Sequence, residues 1–235
     1  MTEFPGKFQY SETRPVLQRL YGQLLYSAFE LILWISWFRR RCQINGNLPD
    51  APFVLVSNHS SYLDWLFLDV ILRRNFRRKI VFLAKKKVVQ NPIWGALAKE
   101  RKAVVVDELT KLKAVVWAVR IFQNSDPESK QIVGIFPEGT RSRTGDQISS
   151  SVGAAWVARK CGLVVVPVAL CGFWEAWPPQ RRLPRFRKQR LAVHFLNPIN
   201  PPDFANDQEA VNSAMDCVYE VVHRDRESRL HTNED

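Results

Sequence analysis

The chain has 235 residues. At about 150 residues per domain that is roughly 1.6 domains' worth, room for one large domain or two small ones. A composition of 46% hydrophobic and 24% charged residues supports a packed core and excludes disorder as the dominant state. Lys and Arg number 34 against 23 Asp and Glu, and the net charge of +11 favours an anionic partner: lipid headgroups, nucleic acid, or an acidic substrate or carrier. Cys42, Cys161, Cys171 and Cys217 form no Cys-x-x-Cys pair and no zinc spacing with the histidines, so reduced thiols are expected, without a disulfide scaffold or a metal site.

One stretch is apolar enough to concern a membrane: Leu20 to Phe38, which ends in Arg39-Arg40-Arg41. As a helix it would be about 28 Å long, close to the hydrocarbon thickness of a bilayer. Trp34 and Trp37 beside the three arginines suit a headgroup boundary. Glu12 and Arg14 ahead of it, and arginines instead of small residues after it, rule out a secretory signal. Glu30 and Gln23 are costly in lipid unless partnered. Immersion from one side therefore fits better than spanning, and both fit better than a core helix of a soluble protein. The triple Arg places the domain that follows on the cytoplasmic face.

From Pro52 onward short apolar runs alternate with helix-length stretches. Strands are expected at Phe53–Ser57, Lys79–Ala84, Ala103–Val106, Gln131–Phe136, Val164–Leu170 and Arg190–Leu196, mostly without polar alternation, as for strands covered on both faces. Helices are expected at 60–74, 86–100, 108–124 and 149–161. A last helix from Asp207 to His223 carries an apolar stripe of Val211, Met215, Val218 and Val222. The polar tail after Arg224 is expected to fray. The fold class is therefore α/β, a largely parallel central sheet with helices on both faces, preceded by a membrane-associating helix. Residues 1–48 read as the docking segment and 49–235 as one domain.

In such a sheet ligands bind beyond the carboxyl ends of the strands. Two polar clusters fall there. The first is Asn58-His59-Ser60-Ser61-Tyr62-Leu63-Asp64. On a straight helix His59 and Asp64 would point about 140° apart, so His59 must sit ahead of the helix with Asp64 inside it. A carboxylate on Nδ1 would then leave Nε2 as a general base. The second cluster is Phe136-Pro137-Glu138-Gly139-Thr140-Arg141-Ser142, where Gly139 permits close backbone approach and Thr140, Arg141 and Ser142 offer donors suited to a phosphate.

His-x4-Asp followed by Phe-Pro-Glu-Gly-Thr-Arg-Ser resembles the glycerolipid acyltransferases, the 1-acylglycerol-3-phosphate (lysophosphatidate) acyltransferase family. Ala84-Lys85-Lys86 through Asn91-Pro92-Ile93-Trp94-Gly95 looks like the Lys-rich approach to that family's second motif, and Val165-Val166-Pro167-Val168 like its apolar fourth. The resemblance covers about residues 50–200. It implies acyl transfer from a thioester, acyl-CoA or acyl-carrier protein, to the free hydroxyl of a lysolipid, with His59 and Asp64 catalytic. Lys85, Arg101, Glu138, Gly139, Thr140, Arg141 and Pro167 would then line the substrate site. No Ser or Cys stands in a nucleophile-elbow pattern, so direct attack is expected over an acyl-enzyme, and no cofactor is implied beyond the thioester donor. In one place the sequence departs from the family pattern: Asp107 is followed by Glu108 where an Arg is usual. A carboxylate there repels phosphate, so Lys85, Arg101 or Arg141 would carry that group, or the acceptor is a lyso-aminolipid with an ornithine-like head.

Positive charge concentrates at Arg39–Arg41, Arg73–Lys79, Lys85–Lys87 and Arg181–Arg190, the last after Phe173, Trp174 and Trp177. An anionic membrane surface suits these patches, at about 1 kcal/mol per basic residue, and an acidic carrier protein could dock on the same charge. A single-stranded nucleic acid would also suit them, but a nucleic-acid module leaves both motifs and the apolar helix without a purpose. A catalytically silent lipid-binding protein of the same fold would keep the helix. His194, His223 and His231 have no carboxylate at useful spacing.

Overall fold

The computed structural model describes residues 16–35, 42–101, 103–106, 111–123, 130–185 and 190–232. Two signals govern the local structure: unbroken Val/Ile/Leu/Phe runs make strands buried on both faces, and mixed runs between them make the covering helices. In chain order the elements are α1 (Val16–Leu33), β1 (Cys42–Asn45), β2 (Phe53–Ser57), α2 (Asp64–Asn75), β3 (Ile80–Lys85), α3 (Lys86–Gln90), α4 (Pro92–Glu100), β4 (Val104–Val106) and α5 (Lys111–Gln123). There follow β5 (Ile132–Ile135), α6 (Gly153–Cys161), β6 (Val165–Cys171), α7 (Phe173–Ala176), β7 (Leu191–Phe195), a 3-10 turn (Pro201–Asp203) and α8 (Asp207–Thr232).

The strands form one seven-stranded sheet in the order β1-β7-β6-β2-β5-β3-β4. Every pairing is parallel except β6 with β7, as the sequence led us to expect of a largely parallel sheet. β2 lies at its centre, and all five of its residues are buried. Phe53 and Leu55 face a core built with α2, while Val54 and Val56 face a second core built with α5, α6 and α8. That alternation gives three layers, with the carboxyl ends of β2, β3, β5 and β6 on one side.

Three elements differ from the sequence expectation. β1 is an edge strand of alternating exposure, too short for its pattern to register. The helix expected at 86–100 is broken at Asn91, which is extended (φ −69°, ψ 135°) and accepts at Oδ1 from the Ile93 and Trp94 amides to cap α4. Gly95 then lets the two helices close up, since a Cβ there would overlap the Val89 carbonyl. The tail after Arg224 does not fray: α8 runs on to Thr232. Arg224–Glu220 and Arg229–Asp225 pair at i,i+4, Arg226 binds Asp146 and Glu175, and Arg229 donates to the Arg190 carbonyl. Polarity in that stretch marks contacts with loops of the domain, which a one-dimensional pattern reads as solvent.

α1 is inverted relative to an ordinary amphipathic helix. Its buried positions are Gly22, Tyr26, Glu30 and Leu33. Glu30 pairs with Arg73 and Arg74 on α2, and the Tyr26 hydroxyl donates to Asp69, which also holds Arg101. Many of its outward positions are apolar: Leu17 is 79% exposed and Leu24 71%, with Val16, Leu20 and Leu31 also open, and Gln18, Arg19, Gln23 and Ser27 are exposed among them. Among the described residues no helix is long and apolar enough to cross a membrane. The Arg39–Arg41 run, Trp37 and Phe38 lie outside the described residues.

Burial opposes the charge of Glu30, but hydrogen bonds from Arg73 and Arg74 outweigh it and hold the carboxyl below its usual value of 4.5. Glu30→Gln is therefore expected to destabilise the protein by about 1 kcal/mol near neutral pH, a figure kept small because both arginines stay partly open to solvent. A lowered pKa contributes stability above the unfolded value and loses it below the folded one. The gap to wild type should therefore be full at neutral pH and close well below pH 4.5. Urea unfolding in non-ionic detergent at both pH values checks this.

Candidate active site

The site begins where β2 ends. The Asn58 side chain donates to the Leu170 carbonyl at 3.1 Å and accepts from the Leu170 amide at 2.8 Å, a substitute rung that fastens the strand end to β6. The chain then turns, and Asp64 opens α2 with its side chain fully buried. One oxygen, Oδ2, accepts from three donors: His59 Nδ1 at 2.8 Å, the Ser60 amide at 2.7 Å and the Ser61 amide at 2.8 Å. A carboxylate in the first turn of a helix also meets the positive end of the helix dipole. Because this oxygen accepts, Nδ1 carries the ring proton and the lone pair sits on Nε2.

Three stacked rings fix the imidazole plane. His59 lies on Phe136 with centroids 4.2 Å apart, and Phe136 lies on Phe82 at 5.6 Å and 7°. Phe82 has its place because residue 134 is glycine, where a Cβ would overlap the ring. The His59 side chain is still 19% exposed, so its free edge is reachable.

The 138–142 turn is joined to the histidine through the backbone. Glu138 Oε2 accepts the His59 amide at 3.0 Å, and the His59 carbonyl accepts the Ser142 amide at 2.7 Å. Glu138 Oε1 accepts from the Tyr219 hydroxyl. Both carboxyl oxygens are thus used inside the protein, and Glu138 is buried. Burial pushes its carboxyl up to about 7, against the hydrogen bonds from Tyr219 and the His59 and Ile148 amides, and Asp64 adds to the rise. Gly139 has φ +63°, which glycine adopts without strain, and its amide closes the turn on the Phe136 carbonyl. Thr140 is exposed.

Arg141 extends over the Tyr62 ring, 3.6 Å from its centroid. Its Nη1 is shut from solvent and has no hydrogen-bond partner among the described residues. Tyr62 stacks on Trp94 and touches Trp177, so the guanidinium caps an aromatic cluster drawn from α2's approach, α4 and the segment after α7. A cationic donor in low-dielectric surroundings with an open valence suits an anionic oxygen.

Three further site residues were expected: Lys85, Arg101 and Pro167. Lys85 is exposed at the carboxyl end of β3. Arg101 forms an ion pair with Asp69 at 2.9 Å and covers Tyr26, which ties it to α1. Pro167 is buried inside β6, in register with Val56, and its carbonyl accepts from the Leu196 amide. Asp107 and Glu108 lie outside the described residues. No group of three or more His, Cys, Asp or Glu side chains among the described residues is arranged to hold a metal ion. Sequence reasoning placed Asn58 in the first polar cluster without giving it a role, and missed Tyr219. Asn58 stands beside the histidine and carried a usable signal, as a buried amide at a strand end. Tyr219 carried none, being one more large residue on a packing helix.

The acyltransferase family model matches residues 39–171. A 1-acyl-sn-glycerol-3-phosphate acyltransferase of Limnanthes douglasii is 26% identical over 211 residues, 88% of this chain and 69% of that protein. The enzyme of the same name from Bacillus subtilis is 29% identical over 68% of this chain and 73% of its own. Among solved structures, the 1-acyl-sn-glycerophosphate acyltransferase PlsC of Thermotoga maritima superposes with a TM-score of 0.63 at 20% identity, over 89% of this chain and 95% of that one, which shows a common fold. The matched span takes in His59, Asp64 and the 138–142 turn, and on it the chain belongs to the acyltransferase family.

Proposed function

We propose that the protein moves a fatty acyl group from a thioester to the free hydroxyl of a membrane lysolipid, 1-acylglycerol-3-phosphate foremost, with residues 49–235 as the catalytic domain and 1–48 as its docking segment. The observation that carries this reading is the pairing of a histidine, Nδ1 on buried Asp64 and Nε2 at an accessible edge, with an arginine whose Nη1 is sheltered and unpartnered. The two are joined through the backbone by the Ser142–His59 hydrogen bond.

In this mechanism Nε2 of His59 takes the proton of the acceptor hydroxyl as its oxygen adds to the thioester carbonyl. Asp64 steadies the imidazolium that forms. The tetrahedral adduct then collapses, the carbon–sulfur bond breaks, and the leaving thiolate takes the proton back from Nε2 as a free thiol. The acyl group stays on the acceptor as an ester. Arg141 receives the acceptor's phosphate, and Glu138, turned inward, holds the histidine loop without touching substrate. The aromatic cluster of Tyr62, Trp94 and Trp177 supplies apolar surface beside the guanidinium.

The outward face of α1 is the lipid-facing surface: its large apolar side chains are open while Glu30 and Tyr26 are already partnered on the domain. A second contact is the tip after α7, where Leu183 is 73% exposed between Arg181, Arg182 and Arg185. Such a face suits an anionic bilayer and is poorly suited to nucleic acid, which offers nothing for bare aliphatic side chains.

His59→Ala should lower turnover about 10²- to 10⁴-fold in an assay of purified protein with acyl thioester and lysophosphatidate. Near-full turnover would refute the assignment. Arg141→Ala should raise KM for lysophosphatidate and erase its advantage over a monoacylglycerol lacking the phosphate. An unchanged preference, or a wild-type preference for a lyso-aminolipid, would move the acceptor reading to the cationic headgroup. Leu17→Asp with Leu24→Asp should weaken liposome binding at least tenfold, since each buried Leu contributes about 1.5–3 kcal/mol. Arg181→Glu with Arg182→Glu should weaken binding only to vesicles containing phosphatidylglycerol. Vesicle co-flotation reads both pairs.

A further inference from the structure

The family match stops at residue 171, yet a hydrogen-bonded path from the histidine loop continues into the C-terminal helix. Tyr219 on α8 is 2% exposed. Its neighbours on the buried side of the helix, Val211, Met215, Val218 and Val222, are all apolar. A hydroxyl in that setting costs free energy unless it is bonded, and here it donates to Glu138 Oε1. Glu138 in turn uses Oε2 to accept the His59 amide at 3.0 Å. Each group answers the other's burial, and the path ends on the backbone of the residue that carries the base.

We infer that Tyr219 is a positioning residue for acyl transfer: its hydroxyl fixes Glu138, and Glu138 fixes the backbone from which the His59 ring reaches the acceptor. This rests on the reading of His59 as the general base. The ring itself is held in plane by Phe136 and in rotation by Asp64. Neither contact sets how far the loop stands out from the end of β2. That depth depends on the backbone bonds on either side of the residue, the His59 amide to Glu138 and the Ser142 amide to the His59 carbonyl, together with the Asn58–Leu170 rung below it and the hold of Asp64 on the Ser60 and Ser61 amides above it. The first depends on a carboxyl whose other oxygen is anchored from α8. A misplacement of about 1 Å costs up to 10²-fold in rate, so the loss of one donor at a distance is enough to be felt in turnover.

The test is a double-mutant cycle. Tyr219→Phe keeps the ring and removes only the hydroxyl. It should lower kcat about tenfold while KM for both substrates stays within about twofold, the pattern of an interaction that matters in the transition state. Glu138→Gln should lower kcat to a similar degree, and adding Tyr219→Phe to it should cost less than about twofold more, because the path is already cut. Val218→Ala, on the same helix and fully buried, serves as a control that lowers Tm without touching the path and should leave kcat unchanged. The inference is overturned if Tyr219→Phe keeps more than half of wild-type kcat, if its loss is equally large in the Glu138→Gln background, or if Val218→Ala loses as much kcat. His59→Ala, assayed alongside, separates the two levels. If it stays active the reading of the base fails, whereas if it is dead while Tyr219→Phe is normal only the role of Tyr219 fails.

Discussion

The arrangement depends on one buried oxygen. Asp64 Oδ2 collects the His59 ring nitrogen and the Ser60 and Ser61 amides, so a single acceptor closes the turn, begins α2 and selects the histidine tautomer. A buried carboxylate is costly to leave without partners. Here three partners converge on Oδ2, groups that the turn brings together, while Oδ1 is buried with no hydrogen-bond partner among the described residues. The two amides lie in the turn ahead of α2, outside any helix or strand ladder. The imidazole is the third donor, and in being held it becomes a base.

Around that oxygen the protein builds by stacking and by backbone bonds more than by charge. Phe82, Phe136 and His59 form one column, which needs a glycine at 134 to stand. Tyr62 stacks on Trp94 with Trp177 tilted against both, and on that cluster Arg141 rests. Rings have few rotatable bonds, so ordering them costs little entropy, and they leave each polar tip where the backbone has put it. Electrostatics enters last, at Nη1 of Arg141, where exclusion of water would strengthen any contact with an anion.

α1 applies the same logic in reverse. Ion pairs normally on the outside of a protein are turned inward, Glu30 to Arg73 and Arg74, with Tyr26 and Arg101 on Asp69. Buried pairs add little net stability, but a helix rolled the other way would leave charges without partners. The network therefore fixes which face is presented, and that face carries most of the helix's exposed aliphatic side chains. Lipid can then solvate what water would not, with no carboxylate exposed to it.

The amino-acid sequence determined the elements that depend on near neighbours. β2 is found at the residues expected of it, β3 to β7 fall within a residue of theirs, and the His59–Asp64 spacing already required a turn ahead of a helix. Local pattern suffices there because burial on both faces and helix-start chemistry each leave a mark within a few residues. Tertiary structure alone decided the rest. The inward direction of Glu30, the engagement of Arg101 by Asp69, the ordered helix beyond Arg224 and the reach of Tyr219 to Glu138 all join residues dozens of positions apart. A polar side chain looks the same in sequence whether it faces water or a partner across the core, and only the packing of layers tells which.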